Sequence, residues 1–199
     1  MTGILLAGGR SQRMGSDKAL LELAGETFLA RGVRLLRTLC QDVLIAARPG
    51  QDLPEIRGCR LVRDEAPDLG PLAGIAAGLA ASGDDWHLVL ACDLPLARPE
   101  LLRLLCAKAG EADAVVPHAE GRLQPLLAVY SRACLEPAQA ALRSGTRAIA
   151  AMLDRVEVRL VPEDELRAAD PDLVSFINVN THEDYQMILD RAAQDTQAL

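Results

Sequence analysis

The sequence has few of the features that bind nucleic acids or membranes, namely aromatic residues, an excess of basic residues and long apolar runs. Its 199 residues include only 2 Phe, 2 Tyr and 1 Trp, which leaves few platforms for stacking single-stranded bases. Acidic residues outnumber basic ones by 28 to 21, and the net charge of −7 argues against a non-specific nucleic-acid binder. The longest apolar runs fall far short of the ~18 residues that a membrane span needs. We therefore expect neither nucleic acid nor a membrane among the partners of this protein.

The sequence also lacks paired cysteines. Its five cysteines are odd in number and widely scattered, and no two of them form a C-x-x-C pair. This pattern is typical of small buried hydrophobic residues in a reducing compartment. Residues 1–9 carry a short apolar run without a preceding basic residue, which is unlike a signal peptide. The sequence therefore predicts a cytoplasmic protein.

Lysine is rare in this chain. Nineteen of its 21 basic residues are Arg, and the two lysines are Lys18 and Lys108. Each lysine therefore calls for a specific explanation. Lys108 falls in a predicted helix and is interpreted as a solvated side chain. Lys18 falls in a glycine-rich loop that is considered below.

The residues that are present indicate one globular domain. Half of them are hydrophobic and 25% are charged, which excludes disorder, and the length suits a single domain over 1–199. Strand and helix patterns alternate through 1–120, and this alternation predicts parallel strands joined by crossover helices. The predicted strands are 3–7, 42–47, 60–63, 86–91 and 114–117, and the predicted helices are 27–39, 71–81 and 99–109.

The second part of the chain, 121–199, has a less regular pattern. Its predicted elements are an extended segment at 121–130 that suits an antiparallel strand, helices at 134–143 and 146–153, a strand at 156–161 and a last helix from Thr181. We therefore predict an α/β fold with a mostly parallel central sheet, flanking helices and an antiparallel element in the second half.

A glycine-rich loop follows the first predicted strand. It reads LAGGRSQRMGSDK over residues 6–18 and lies at the carboxyl edge of the predicted sheet, where open α/β sheets bind ligands. Gly8 and Gly9 let the backbone approach a phosphate closely and turn its N–H groups toward it. Positive charge comes from three side chains, Arg10, Arg13 and Lys18. A surface turn with solvated arginines is the alternative.

Two common phosphate-binding motifs do not fit this loop. The dinucleotide fingerprint G-x-G-x-x-G is interrupted because Arg10 follows Gly8 and Gly9. A P-loop needs Gly-Lys-Ser/Thr, whereas Gly15 is followed by Ser, Asp and then Lys18.

The pattern L-A-G-G-R-x-x-R-M-G-x-D-K instead resembles the signature of molybdenum cofactor guanylyltransferases, which belong to a wider family of nucleotidyltransferases with a Rossmann-like fold. The resemblance implies that the nucleotide contacts the loop residues Leu6, Ala7, Gly8 and Gly9. It further implies that Lys18 binds the phosphates of GTP and that Arg13 lies over the same triphosphate. Both side chains are then catalytic, because fixed cations stabilise the charge that develops on departing pyrophosphate.

Asp93 follows the predicted strand 86–91, so its carboxylate can enter the same crevice. Mg²⁺ prefers one or two carboxylates together with phosphate oxygens and water. The resemblance, here to C-D-x-P-x, implies that Asp93 is catalytic, holds Mg²⁺ and lies at the nucleotide. The alternative is an aspartate that caps the following turn.

Asp64 follows the predicted strand 60–63, and the resemblance places an aspartate near the guanine nucleotide at this point. Glu65 is an alternative match, and a turn-forming role is another. The chain departs from the family pattern after strand 42–47, where relatives carry an Asn in V-x-x-N-x-N. Ala46 and Ala47 have no amide there and Arg48 differs in chemistry, so we assign no site residue to this stretch.

Near the end of the chain, FINVNTHED over 176–184 resembles the family signature N-x-N-T-x-E-[DE]. Asn178 and Asn180 point the same way on an extended backbone, and the resemblance implies that they bind the acceptor. Thr181 is interpreted as a helix cap rather than a chemical group, and His182 as an exposed residue of the first turn. Arg147 either meets the acceptor's phosphate or is solvated, and we favour solvation.

The resemblance implies transfer of GMP from Mg²⁺–GTP to molybdopterin, with pyrophosphate released. Residues 1–120 then form the nucleotide-binding half and 121–199 the acceptor-binding half. Further partners are other cofactor-biosynthesis proteins or recipient molybdoenzymes. One alternative is the sister cytidylyltransferase, which uses CTP and whose loop reads L-A-A-G. Another is a non-catalytic nucleotide-binding or chaperone-like protein, which has no need for both Lys18 and Asp93.

Hydrolase chemistry has no support, because G-x-S-x-G is absent.

Overall fold

The apolar runs of the sequence form strands in the computed structural model, which describes residues 1–8, 17–63 and 69–197. The strands are β1 (Thr2–Leu6), β2 (Glu22–Leu23), β3 (Glu26–Thr27), β4 (Asp42–Ala47), β5 (Cys59–Arg63), β6 (Trp86–Ala91), β7 (Ala114–Ala119), β8 (Arg122–Leu123), β9 (Leu127–Ser131) and β10 (Val158–Val161). The helices are α1 (Phe28–Leu36), α2 (Pro71–Ala81), α3 (Pro99–Ala107), α4 (Leu135–Arg143), α5 (Ala150–Leu153), α6 (Glu163–Ala169) and α7 (His182–Gln197).

The central sheet has the strand order β10-β7-β9-β6-β1-β4-β5, and β8 pairs with β7 beside it. Strand β1 is parallel to both of its neighbours, β4 and β6. Strand β9 runs antiparallel to β6 and β7. The prediction of a mostly parallel sheet with an antiparallel element in the second half is therefore confirmed.

The topology places a crevice at one end of β1. From β1 the chain moves outward to β4 and β5, and it then returns to form β6 on the other side of β1. This reversal of direction opens a crevice at the carboxyl ends of β1 and β6, the position at which open α/β sheets bind their ligands. Leu6 pairs with Ala91 at this edge, so the segments that follow both strands emerge side by side.

Strand β1 is buried between a helix on each face of the sheet. Successive side chains of a strand point to opposite faces. A Cβ added at Gly32 of α1 would lie 2.6 Å from Leu5 Cδ1, and one added at Gly78 of α2 would lie 2.6 Å from Ile4 Cδ1. Both helices therefore pack so closely on β1 that each needs a residue without a side chain at the contact. This packing fixes the end of β1, where the crevice opens.

The helix predicted at 146–153 is shorter in the structure, where α5 begins at Ala150. Helix α4 ends at Arg143, and Gly145, two residues later, has a φ of +81°. The N–H of Gly145 donates to Leu142 O at 2.9 Å, and that of Thr146 donates to Ala141 O at 3.0 Å. This pair of hydrogen bonds is a Schellman C-cap, so the chain leaves α4 in a direction that does not allow a new helix to begin at once.

Lys108 is not the solvated residue that the sequence indicated. Its Nζ lies 2.6 Å from Glu165 Oε2, and its side chain is only 16% exposed. Glu165 belongs to α6, which the sequence did not predict and which packs against α3. The interpretation was wrong because the partner helix was missing from the prediction.

All five cysteines are free thiols; Cys40, Cys92 and Cys134 are buried and the other two are half-buried. In the described part of the chain, no helix combines the length and the apolar character that crossing a membrane requires.

Candidate active site

A cavity of about 260 Å³ lies at the carboxyl ends of β1 and β6. Six of the residues singled out in the sequence line it, namely Leu6, Ala7, Gly8, Lys18, Asp93 and Asn180. They come from segments that are far apart in the chain and meet only because the sheet reverses direction at β1. The predicted residues Gly9, Arg10, Arg13 and Asp64 lie outside the described residues.

The backbone at the end of β1 turns toward β4. The N–H groups of Ala7 and Gly8 both donate to Ala46 O, at 2.8 and 3.1 Å. A Cβ added at Gly8 would lie 3.2 Å from the backbone nitrogen of Arg48. Gly8 therefore permits a close approach of two backbone segments. In this structure its N–H donates to Ala46 O, and its contact with a nucleotide stays a prediction.

Lys18 opens a short 3-10 turn over Lys18–Leu20. Asp17 caps this turn through Oδ1, which accepts the N–H of Ala19 at 3.1 Å. The Lys18 side chain is 15% exposed, and its Nζ lies 4.0 Å from Asp93 Oδ2. Nζ also donates a hydrogen bond to Asn180 Oδ1 at 2.8 Å. The ammonium group is therefore held between one carboxylate and one amide at the cavity.

Asp93 lies two residues beyond β6. The N–H of Cys92 donates to Leu6 O at 3.0 Å, so the ends of β6 and β1 stay joined. The N–H of Val179 donates to Asp93 O at 2.9 Å and brings the segment that contains Asn180 to the same place. Burial raises the pKa of Asp93, and Lys18 opposes that rise. Oδ1 of Asp93 is buried and has no hydrogen-bond partner within the described structure.

Asn178 and Asn180 are exposed on either side of the buried Val179, as the alternation of an extended backbone predicts. Asn180 lines the cavity, whereas Asn178 is not among the described residues that line it. The structure thus brings one of the two predicted acceptor residues directly into contact with Lys18.

A capping box follows Asn180. Thr181 Oγ1 accepts the N–H of Asp184 at 3.1 Å, and Asp184 Oδ2 accepts the N–H groups of Asn180 and Thr181 at 2.8 Å each. These backbone hydrogen bonds hold the pKa of Asp184 below its usual value. The predicted cap is therefore confirmed, and His182 is exposed as expected. The cap fixes the backbone from which Asn180 projects.

Arg147 is exposed, in agreement with the interpretation that we favoured. It lies beside the start of α2, where a Cβ added at Gly70 would be 3.9 Å from Arg147 Cβ.

Gln51 was not identified from the sequence. It follows Pro49 and Gly50, a composition that is typical of an exposed turn, yet its side chain is 3% exposed. Its Nε2 donates to Ala7 O at 3.0 Å and to Asp17 Oδ2 at 2.7 Å. No local sequence pattern predicts this burial, because the hydrogen-bond partners of Gln51 come from the end of β1 and from the residue before Lys18.

The carboxylate of Asp93 fits a hard divalent cation. Its buried oxygen without a partner is a hard donor, and Mg²⁺ needs only one or two carboxylates when phosphate oxygens complete its shell. Among the described residues, no group of three or more His, Cys, Asp or Glu side chains is arranged to hold a metal. A cation at Asp93 would therefore depend on a phosphate ligand.

Comparisons with known proteins agree on one family. A family model described as MobA-like NTP transferase domain matches residues 3–159. A molybdenum cofactor guanylyltransferase of Desulfosudis oleivorans is 37% identical over 188 residues, which cover 94% of this chain and 93% of the relative. A probable molybdenum cofactor guanylyltransferase of Pelotomaculum thermopropionicum is 39% identical over 184 residues, covering 92% and 89%. The solved structure of molybdopterin-guanine dinucleotide biosynthesis protein A from Archaeoglobus fulgidus has a TM-score of 0.84 at 28% identity, covering 98% of this chain and 100% of that one.

Proposed function

Because the chain belongs to the MobA-like NTP transferase family, we propose that it transfers GMP from GTP to molybdopterin and releases pyrophosphate. The observation that carries this proposal is the meeting of Lys18, Asp93 and Asn180 at one cavity, at the point where the sheet reverses direction. The names of the curated relatives, which are guanylyltransferases for the molybdenum cofactor, support the same substrate pair.

The nucleotide occupies the cavity with its triphosphate toward Lys18. Lys18 provides a compact positive charge, and Asn180 and Asp93 hold that charge in place from two sides. Leu6, Ala7 and Gly8 form the wall beside it, and Gly8 lets this wall lie close against the backbone of Arg48. Gly9, Arg13 and Asp64 remain proposed nucleotide-site residues on the strength of the sequence motif.

Asp93 holds Mg²⁺ in this proposal. The buried oxygen of Asp93 provides the protein ligand, and phosphate oxygens of GTP provide others. When bound, Mg²⁺ neutralises charge that develops on the phosphates during transfer.

The acceptor approaches from the side of residues 121–199. Asn180, and Asn178 two residues before it, position the acceptor so that its terminal phosphate oxygen faces the α-phosphorus of GTP. A bond forms between that oxygen and the α-phosphorus, while the bond from the α-phosphorus to the bridging oxygen of pyrophosphate breaks. Lys18 stabilises the charge on the departing pyrophosphate, and the protein contributes positioning and charge rather than a covalent intermediate.

Transfer of CMP from CTP is not favoured, because the curated relatives are guanylyltransferases. A purely non-catalytic binder is not favoured either, because the matching family model is that of an NTP transferase and the curated relatives are guanylyltransferases. The cytoplasmic location and contacts with other cofactor-biosynthesis proteins or recipient molybdoenzymes stay predictions.

The proposal is tested by measuring pyrophosphate release with purified protein, Mg²⁺, molybdopterin and either GTP or CTP. We expect release with GTP that depends on the acceptor, and little with CTP. Reactions without acceptor are the control for nucleotide hydrolysis. Release with CTP alone would replace the proposal by the cytidylyl reaction, and no release with either nucleotide would point to a binding protein.

A further inference from the structure

Gln51 is a buried side chain that joins three separate parts of the crevice wall. Its Nε2 donates to Ala7 O at the end of β1, at 3.0 Å, and to Asp17 Oδ2, at 2.7 Å. Its Oε1 accepts the N–H of Arg48 at 3.2 Å. Both donor hydrogens of the amide are therefore used. A glutamine that is 3% exposed and this fully hydrogen-bonded has one defined orientation.

The carboxylate of Asp17 transmits this contact to Lys18. Oδ2 of Asp17 accepts from Gln51, while Oδ1 caps the turn that Lys18 opens by accepting the N–H of Ala19 at 3.1 Å. The guanidinium of Arg48 lies 3.6 Å from Asp17 Oδ2 and adds a favourable charge. Moving Asp17 would therefore move the backbone that carries Lys18.

Gln51 is itself held from the opposite side. Arg63, at the end of β5, donates from Nη1 to the carbonyl oxygens of Arg48 and Gln51, at 3.3 and 3.1 Å. The N–H of Gln51 donates to Arg48 O at 3.2 Å. The turn that carries Gln51 is thus tied to the sheet, so its amide acts as a fixed point rather than as a mobile surface group.

We propose that Gln51 is a positioning residue for the nucleotide. It fixes Asp17 relative to Ala7, and it thereby sets the position of Lys18 against the backbone of Leu6–Gly8 before the triphosphate binds. This inference rests on the proposed function, since it gives Lys18 its role at the phosphates. It adds a determinant on the nucleotide side of the reaction, because Asn180, which contacts Lys18 from the acceptor side, is held separately by its own capping box with Asp184.

Three variants test this role. Gln51→Glu keeps the shape of the side chain but turns an oxygen toward Ala7 O and Asp17. Asp17→Asn breaks the same hydrogen bond without adding a second carboxylate, so it tests the contact even where Gln51→Glu does not fold. The double variant Asp17→Asn with Gln51→Glu restores a donor between the two side chains with the polarity reversed.

Ser82→Ala is the matched control. Ser82 is 5% exposed, and its hydroxyl donates to Thr2 Oγ1 at 2.9 Å and accepts the N–H of Asp84 at 3.1 Å. It lies at the amino ends of β1 and β6, at the opposite edge of the sheet from the cavity. This variant therefore removes a comparable buried polar contact without touching the crevice.

We expect Gln51→Glu to lower kcat/KM for GTP by about 100-fold, because a hydrogen bond to a charged group is lost and two acceptors are brought together. We expect Asp17→Asn to lower it by about tenfold, and the double variant to regain about tenfold over Gln51→Glu. The KM for the acceptor should stay within about twofold in all of them, and Ser82→Ala should change neither KM.

Equal changes of both KM values, or no rescue in the double variant, would overturn the role of Gln51. If the wild type releases no pyrophosphate with GTP or CTP, the proposed function fails, and hydrogen exchange of the Ala19 amide then decides the inference separately. Faster exchange in Gln51→Glu that slows in the double variant would uphold the link from Gln51 through Asp17 to the Lys18 turn. Unchanged exchange would overturn it.

Discussion

Asp93 and Asp170 are two aspartates that face a cation from a largely buried position, yet their surroundings differ. Asp170 is fully buried, and its Oδ2 accepts the N–H of Ser175 at 2.8 Å. Its Oδ1 has no hydrogen-bond partner within the described structure, but it faces the cation Arg98, whose Nε lies 3.4 Å away. The N–H of Arg98 in turn donates to Ser175 Oγ at 2.9 Å. Asp170 therefore fastens the segment after α6 to the start of α3.

Asp93 differs in where its cation lies. Its Oδ1 is likewise buried without a hydrogen-bond partner in the described part of the chain, but the cation beside it, Lys18, faces the other oxygen, Oδ2, at 4.0 Å. A buried polar group without a partner costs free energy, and at Asp170 the facing guanidinium offsets part of that cost. The comparison teaches that the cation facing the unpartnered oxygen, rather than the burial of the carboxylate, distinguishes a structural role from a role toward a ligand.

Replacing Asp93 should have the largest effect on activity. We expect Asp93→Asn to lower kcat for GMP transfer on the order of 1,000-fold, because a metal ion at the phosphates is worth several kcal/mol in the transition state. The midpoint of urea unfolding should stay equal to that of the wild type or rise, since a poorly solvated charge is removed. A large loss of stability with activity retained would place Asp93 in the same class as Asp170.

Changing the shape of the cation at position 18 should have the second-largest effect on activity. We expect Lys18→Arg to lower kcat/KM for GTP by about 100-fold although the charge is kept, because a planar guanidinium does not fit the point contact with Asn180. Steady-state kinetics with GTP, at a temperature where both proteins are folded, measures this. Turnover near that of the wild type would remove the role assigned to Lys18.

The opposite result is expected at Asp170. Asp170→Asn should lower the free energy of unfolding by about 2 kcal/mol, because it brings an amide donor against Arg98 in a buried place. Urea unfolding at constant pH gives this value, and kcat/KM for GTP should remain within about twofold at low temperature. If Asp170→Asn lowers kcat/KM while the free energy of unfolding stays unchanged, the proposed difference between Asp93 and Asp170 is contradicted.

The smallest effect is expected at the cap beside Asn180. Asp184→Asn should cost about 1 kcal/mol of stability at pH 7, where the carboxylate accepts two backbone N–H groups. The pKa of Asp184 is lowered in the folded state, so its contribution is complete above the unfolded pKa and is lost as the pH falls through the folded pKa. The difference between the two proteins in urea unfolding should therefore vanish at acidic pH. A difference that grows as the pH falls would contradict this assignment.

Apolar runs and turn residues in the sequence predicted some elements of the fold and missed others. The runs that form β4, β6 and α2 have the predicted bounds, because apolar segments end there at turn residues. Helix α6 was missed because Leu166 is the only buried residue among its seven positions, so it has no apolar stripe. The β2–β3 hairpin was missed because its turn is formed by Ala24 and Gly25, with φ of +53° and +76°, instead of a typical Asn-Gly pair.

The same limit applies to the site. Asp93 was predicted because it follows closely on a buried strand, and Lys18 was predicted because it ends the glycine-rich loop motif that begins at β1. Gln51 was not, because its burial comes from Ala7 and Asp17, which are distant in sequence. The contacts of Lys18 with Asp93 and those of Gln51 with Ala7 and Asp17 lie at the same cavity because of the order of the strands. No local sequence pattern contains that order.

The central claim is that this crevice moves the α-phosphate of GTP, with its guanosine, onto a molybdopterin acceptor. The most direct test compares GTP labelled at the α-phosphate with GTP labelled at the γ-phosphate, using wild type and Asp93→Asn. We predict that the wild type transfers the α-label to the acceptor and releases the γ-label as pyrophosphate, while Asp93→Asn does neither at a comparable rate. Label from the γ-phosphate on the acceptor, or no labelled acceptor at all with wild type, would contradict the account.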